Sequence, residues 1–236
     1  MRLRRAVRRT LLALSALAAL VAAAPRTRHP EHPALRTLFL GDSYTIGEGV
    51  PPAAGWPEQL VARWRARGLA ADTPVVIART GWTTQDLYRG IQAAQLQGTF
   101  DLVALLIGVN NQFRELALDD YRTDFSVLLA QAVDFAGGQP SRVAVLSIPD
   151  WSVTPFAADR DGVRIAAEID RFNAAARERT LRVGAHWVDV TALSRAHGAD
   201  PHFLAGDALH PSAAAYAEWA RAADDSLHPA SRTRPH

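Results

Sequence analysis

The chain contains no cysteine and no lysine. The first absence excludes disulfides and thiolate chemistry. The second excludes a phosphate-binding loop ending in Gly-Lys-Ser or Gly-Lys-Thr. All 26 basic residues counted as lysine or arginine are therefore arginine, a bias that reads as genomic base composition. No Gly-x-Gly-x-x-Gly follows the first apolar run; Gly47-Glu48-Gly49 comes too late and leads into Val50-Pro51-Pro52. That leaves a dinucleotide-binding sheet without its fingerprint. No His-Glu-x-x-His and no close carboxylate cluster suggests a metal, and no internal repeat is visible. What remains is 236 residues, 48% hydrophobic and 21% charged. This suits one globular domain with a sizeable core.

The N-terminus differs from the rest. Arg2, Arg4, Arg5, Arg8 and Arg9 form a basic head, followed by an apolar, Ala-rich stretch from Leu11 to Ala24. Charge, short apolar run and small residues in that order read as a secretory signal peptide over residues 1–24. The run is short for a stable membrane span. Export to the periplasm or medium is expected, with an uncleaved N-terminal anchor as the alternative. Loss of the five head arginines takes the formal charge from +2 to −3, so the basic balance belongs to the leader. No clustered basic face suggests nucleic acid.

Residues 25–34 read as a linker and 226–236 as a tail. Between them, strand-length apolar runs alternate with helical patterns. Strands are expected at Thr37–Leu40, Pro74–Ala78, Leu102–Ile107, Arg142–Ile148 and His186–Val190. Helices are expected near 56–68, 83–97, 118–136 and 163–181, and from Ser212 to Asp225. Runs as apolar as Leu102–Ile107 are buried on both faces, as in a parallel sheet covered by helices. The expected fold is α/β: a flavodoxin-like three-layer α/β/α sandwich on a five-stranded parallel sheet.

Four segments could carry chemistry. Gly41-Asp42-Ser43 follows the first strand, where ligands bind in open α/β sheets. Gly81 follows the second strand, Gly108-Val109-Asn110-Asn111 the third, and Asp207-Ala208-Leu209-His210 precedes the last helix. A serine hydroxyl needs an imidazole to take its proton, and the imidazole needs a carboxylate to fix its tautomer. His210 and Asp207 can fill those roles from one turn of chain. Donors for a developing oxyanion could come from the N–H groups of Ser43 and Gly81 and the Asn110 amide. Each segment taken singly also reads as ordinary turn, cap or strand-end chemistry.

As a set, in this order and spacing, the four segments resemble the SGNH hydrolases, the GDSL-type esterases and lipases, over residues 35–225. The resemblance implies Ser43 as nucleophile, His210 as base and Asp207 as its orienting carboxylate. It implies Ser43, Gly81 and Asn110 as the oxyanion hole, no metal or organic cofactor, and a small-molecule or carbohydrate ester as substrate. Asn111 stands where the family often has aspartate. The expected activity is hydrolysis of short acyl or acetylated carbohydrate esters through an acyl-enzyme; the alternative is a non-catalytic glycan-binding module. Trp82, Asn111 and Trp151 are candidate substrate contacts. The two tryptophans, with Phe156, could line an acyl pocket, stack on a sugar ring, or simply pack in the core.

Overall fold

The computed structural model describes residues 33–227. The leader reading over residues 1–24, most of the linker and the end of the tail lie outside the described residues. Five strands form one sheet: β1 (Thr37–Gly41), β2 (Val75–Ala78), β3 (Leu102–Leu106), β4 (Val143–Leu146) and β5 (His186–Val188). The order is β2-β1-β3-β4-β5 and every pairing is parallel. This is the flavodoxin-like order, whose direction of winding reverses between β1 and β3.

The central strands β1, β3 and β4 are buried along their whole length, whereas β2 and β5 at the edges are partly exposed. Continuous apolar sequence therefore marks the strands with helices on both faces. On one face α2 (Trp56–Ala66) packs against α8 (Ala213–Leu227). On the other lie α3 (Thr84–Ala94), α5 (Leu118–Phe135) and α6 (Gly162–Val183). Asp224 on α8 joins the first pair by accepting from the Trp64 indole at 2.8 Å and from Arg67 at 2.6 and 2.7 Å. Trp56 and Trp64, expected in the core from their helical spacing, are buried there. His186, expected to be structural, sits 3.0 Å from the Ser141 carbonyl at the sheet edge.

Expected strands and long helices differ from the observed ones only at their ends. The last helix continues through Leu227, two residues into the expected tail. Three short helices carry too few turns to show a period in sequence: α1 (Ser43–Ile46), α4 (Val109–Phe113) and α7 (Thr191–His197). Two of these, α1 and α4, start directly beyond the carboxyl ends of β1 and β3. No helix among the described residues is long and apolar enough to cross a membrane.

Candidate active site

The turn after β1 is built for close approach. A Cβ on Gly41 would lie 2.1 Å from the Thr45 hydroxyl and 2.5 Å from the Leu106 carbonyl, so only glycine lets α1 start here. Asp42 caps α1, its Oδ1 accepting the Tyr44 N–H at 3.0 Å. Its Oδ2 is buried and has no hydrogen-bond partner. Burial pushes the Asp42 carboxyl up to about 7, against the lowering effect of the Tyr44 N–H. Burial therefore favours the neutral carboxyl over an anion beside Ser43.

Ser43 opens α1. The His210 Nε2 lies 2.9 Å from its Oγ, and the His210 Nδ1 lies 2.6 Å from Asp207 Oδ2. A carboxylate can only accept, so Nδ1 carries the proton and Nε2 is left to accept from the Ser43 hydroxyl. Asp207 Oδ1 accepts the Leu209 and His210 N–H groups at 3.0 and 2.9 Å. Partial burial alone would raise the Asp207 carboxyl. The hydrogen bonds from the His210 ring and these two N–H groups outweigh it and hold the carboxyl below its ordinary value. The turn is tied back by Ala205 N–H to His210 O at 2.8 Å and Phe156 N–H to Ala208 O at 3.2 Å. Ala208 sits at φ 61°, a conformation alanine adopts only under constraint.

The expected oxyanion donors converge. Ser43 and Gly81 N–H have no acceptor among the described residues. Gly81 adopts φ 80°, and Arg114 holds its carbonyl at 2.6 Å. Asn110 donates one amide hydrogen to the Trp82 carbonyl at 2.9 Å, which fixes the amide and leaves its second hydrogen available. All three residues line one cavity of about 160 Å³ together with His210. Val109, Phe113, Trp151, Phe156 and Leu209 supply its apolar lining.

Two candidate substrate contacts fall elsewhere. The Trp82 ring packs on Gly90 of α3, where an added Cβ would lie 2.3 Å from the indole. Trp82 serves the site through its carbonyl, and its ring is not part of the cavity wall. Asn111 is buried outside the cavity. Its Oδ1 accepts the Thr84 N–H at 3.0 Å and its Nδ2 donates to the Thr84 hydroxyl at 2.8 Å. The hydroxyl in turn donates to Asp124 at 2.9 Å. The amide thus clamps α4 to the start of α3 using both its acceptor and its donor. A carboxylate could supply only the acceptor, which gives Asn111 a physical reason to stand where aspartate is usual. Trp151 does line the cavity, its indole N–H fixed on Gln112 Oε1 at 2.9 Å.

Several contributors have no signal in sequence. Phe113 and Tyr44 reach the cavity only because α4 and α1 are helical. Gly49 lies beside the Asp207 loop, with φ 80° and room for no side chain: a Cβ would be 2.7 Å from Ala205 Cβ and 3.6 Å from Asp207 Oδ2. Thr80 lines the mouth and donates to Glu48. No group of His, Asp and Glu residues suited to a metal occurs among the described residues. His197 is instead paired with Glu218 and stacked on Phe203.

The fold thus brings a serine, a histidine and a carboxylate into one hydrogen-bonded series at the switch point of its sheet, the arrangement that hydrolases with a serine nucleophile use. The family follows from comparison with known proteins. A model of the GDSL-like lipase/acylhydrolase family matches residues 39–218, and the chain belongs to that family as a carboxylic ester hydrolase of the SGNH type. No curated protein matches it by sequence. Among solved structures it is similar to the psychrotrophic esterase EstA from Pseudoalteromonas sp., captured inhibited by monoethylphosphonate. That match has a TM-score of 0.64 and 18% identity, covering 82% of this chain and 97% of the other. It is also similar to the acetylxylan esterase Axe2 from Geobacillus stearothermophilus (TM-score 0.63, 21% identity, 82% and 94% covered). A lipase/acylhydrolase from Enterococcus faecalis gives 0.63 and 16%, with 85% and 100% covered.

Proposed function

We propose that the protein hydrolyses carboxylic esters by a serine mechanism through an acyl-enzyme. The observation that carries this reading is the continuous Ser43–His210–Asp207 series opening on the cavity that Gly81 and Asn110 also line. Ser43 Oγ attacks the ester carbonyl carbon while His210 Nε2 takes its proton. The carbonyl oxygen becomes an oxyanion facing the Ser43 and Gly81 N–H groups and the Asn110 amide. Asp207 stabilises the imidazolium. The bond to the alcohol oxygen breaks, and the alcohol leaves with the proton from His210. Water then attacks the acyl-enzyme, His210 takes its proton, and the acid departs as Ser43 recovers its hydrogen.

The substrates we assign are short acyl esters, with acetylated carbohydrate esters as the second group. The structural likeness to an acetylxylan esterase supports the second group. The leader sequence supports action outside the cytoplasm. N-terminal sequencing of the processed chain checks that part, and an intact Met1-linked leader on membranes would point to the anchored form instead.

The test is labelling with a fluorophosphonate and hydrolysis of p-nitrophenyl acetate. One adduct on Ser43, and loss of essentially all turnover in folded Ser43→Ala, are expected. Full activity in that variant sinks the mechanism. Absence of any adduct or turnover in folded protein favours a glycan-binding module.

A further inference from the structure

We infer that the cavity over Ser43 is a subsite for an aromatic ring of the ester, a reading that rests on the proposed esterase function and narrows its substrate class. Phe113 from α4 meets Trp151 and Phe156, from the two successive short turns after β4, at one wall. Their ring centroids are 5.5 Å (Phe113–Trp151), 6.0 Å (Trp151–Phe156) and 6.5 Å (Phe113–Phe156) apart. The two contacts to Trp151 are edge-on, at 60° and 65°. These are spacings at which aromatic quadrupoles attract. Trp151 is almost fully buried, whereas Phe113 and Phe156 remain 42% and 41% exposed. The cluster is therefore anchored at its base and incomplete at its open side.

Arg160 fastens the cluster from elsewhere. Its guanidinium carbon stands 5.1, 5.5 and 5.4 Å from the Phe113, Trp151 and Phe156 centroids. Arg160 does not line the ester cavity. It borders a separate polar hollow that shares Phe113 and Trp151 as its wall. The cation thus occupies ring surface outside the cavity and leaves the surface facing Ser43 for a ligand.

The size fits a six-membered ring, and the polarity favours an aromatic ring over a sugar. A cavity of about 160 Å³ matches the roughly 150 Å³ at which an engineered apolar protein cavity takes up benzene. A pyranose needs partners for its hydroxyls. Of the polar residues at this cavity, Ser43, Gly81, Asn110 and His210 are assigned to the reaction, the Thr80 hydroxyl donates to Glu48, and Tyr44 is almost fully buried.

The ring could enter on the acyl or the alcohol side, and two isosteric pairs separate these. Ethyl phenylacetate is compared with ethyl cyclohexylacetate, and benzyl acetate with cyclohexylmethyl acetate, by pH-stat titration of the full chain. A fourth aromatic partner is expected to favour the aromatic member of one pair by about two- to tenfold in kcat/KM, and that pair identifies the side. In Phe113→Leu and Phe156→Leu, which stay apolar but lose the ring, the ratio is expected to fall toward one. Equal or faster turnover of the saturated ester in both pairs overturns the inference. So does a wild-type preference that survives unchanged in both leucine variants. Because the wild-type comparison stands alone, a variant that fails to fold does not shield it. Failure of all four esters, with no fluorophosphonate adduct, overturns the esterase reading itself.

Discussion

Asp42→Asn isolates the physics of the turn that presents Ser43. The Asp42 carboxyl is fully buried and shifts from an ordinary 3.8 to about 7 on folding. At 1.36 kcal/mol per pH unit, about three units correspond to about 4 kcal/mol. The sign follows from proton counting. Between about pH 4 and 7 the folded protein holds a proton that the unfolded chain has released. Stability from this group is therefore complete below the unfolded value, declines as pH rises, and is lost above about 7. Asparagine cannot ionise and keeps an acceptor for the Tyr44 N–H. Its N–H₂, like the O–H of the neutral acid, finds no partner at the Oδ2 position, so that cost largely cancels at low pH. Urea unfolding followed by tryptophan fluorescence, for both proteins from pH 4 to pH 8, gives the difference directly. From pH 4 to pH 8 the variant should gain about 4 kcal/mol relative to the wild type. A difference that stays constant across that range would show that the carboxyl is not perturbed and refute the reasoning. Shifts of other groups, such as Asp207, cancel in the comparison where they do not couple to Asp42.

Three further perturbations address the site. Asn110→Ala removes one oxyanion donor and should lower kcat by roughly a hundred- to thousandfold with KM little changed; a loss confined to KM would assign Asn110 to ground-state binding. Gly49→Ala forces a methyl against Ala205 and the Asp207 carboxylate in a left-handed backbone conformation. It should cut kcat by roughly ten- to a hundredfold through misplaced geometry, and an unaltered kcat would show that the Asp207 loop yields freely. Asn111→Asp keeps the acceptor for Thr84 N–H but loses the donor to its hydroxyl. Urea midpoints should report a loss of about 1–3 kcal/mol at neutral pH, whereas a more stable variant would contradict the clamp.

Much of the fold was legible because it is local. Leu102–Ile107 is apolar at every position, which only a strand covered on both faces requires, and the strand formed there. The four motif segments were legible as a set because each follows a strand or precedes a helix. What escaped were roles that depend on where a neighbour's backbone goes. Trp82 reads as a pocket aromatic until Gly90 of α3 is seen to receive its ring. Asn111 reads as a substrate contact until Thr84, 27 residues earlier, occupies both ends of its amide. Phe113 carried no signal, since a five-residue helix shows no period.

By itself the sequence determined the chemical inventory: one serine, one histidine and one carboxylate at strand and helix ends, with no thiol or amine to compete as nucleophile. Covalent order and side-chain identity suffice for that. Only the tertiary structure decided that Ser43 meets His210 across 167 residues at 2.9 Å, and that Phe113, Trp151 and Phe156 share one wall. The contacts of Ser43 with His210 and of Phe113 with Trp151 are long-range. They exist because the parallel sheet carries the ends of β1, β3 and β4 to the same edge, where packing, not sequence neighbourhood, chooses partners.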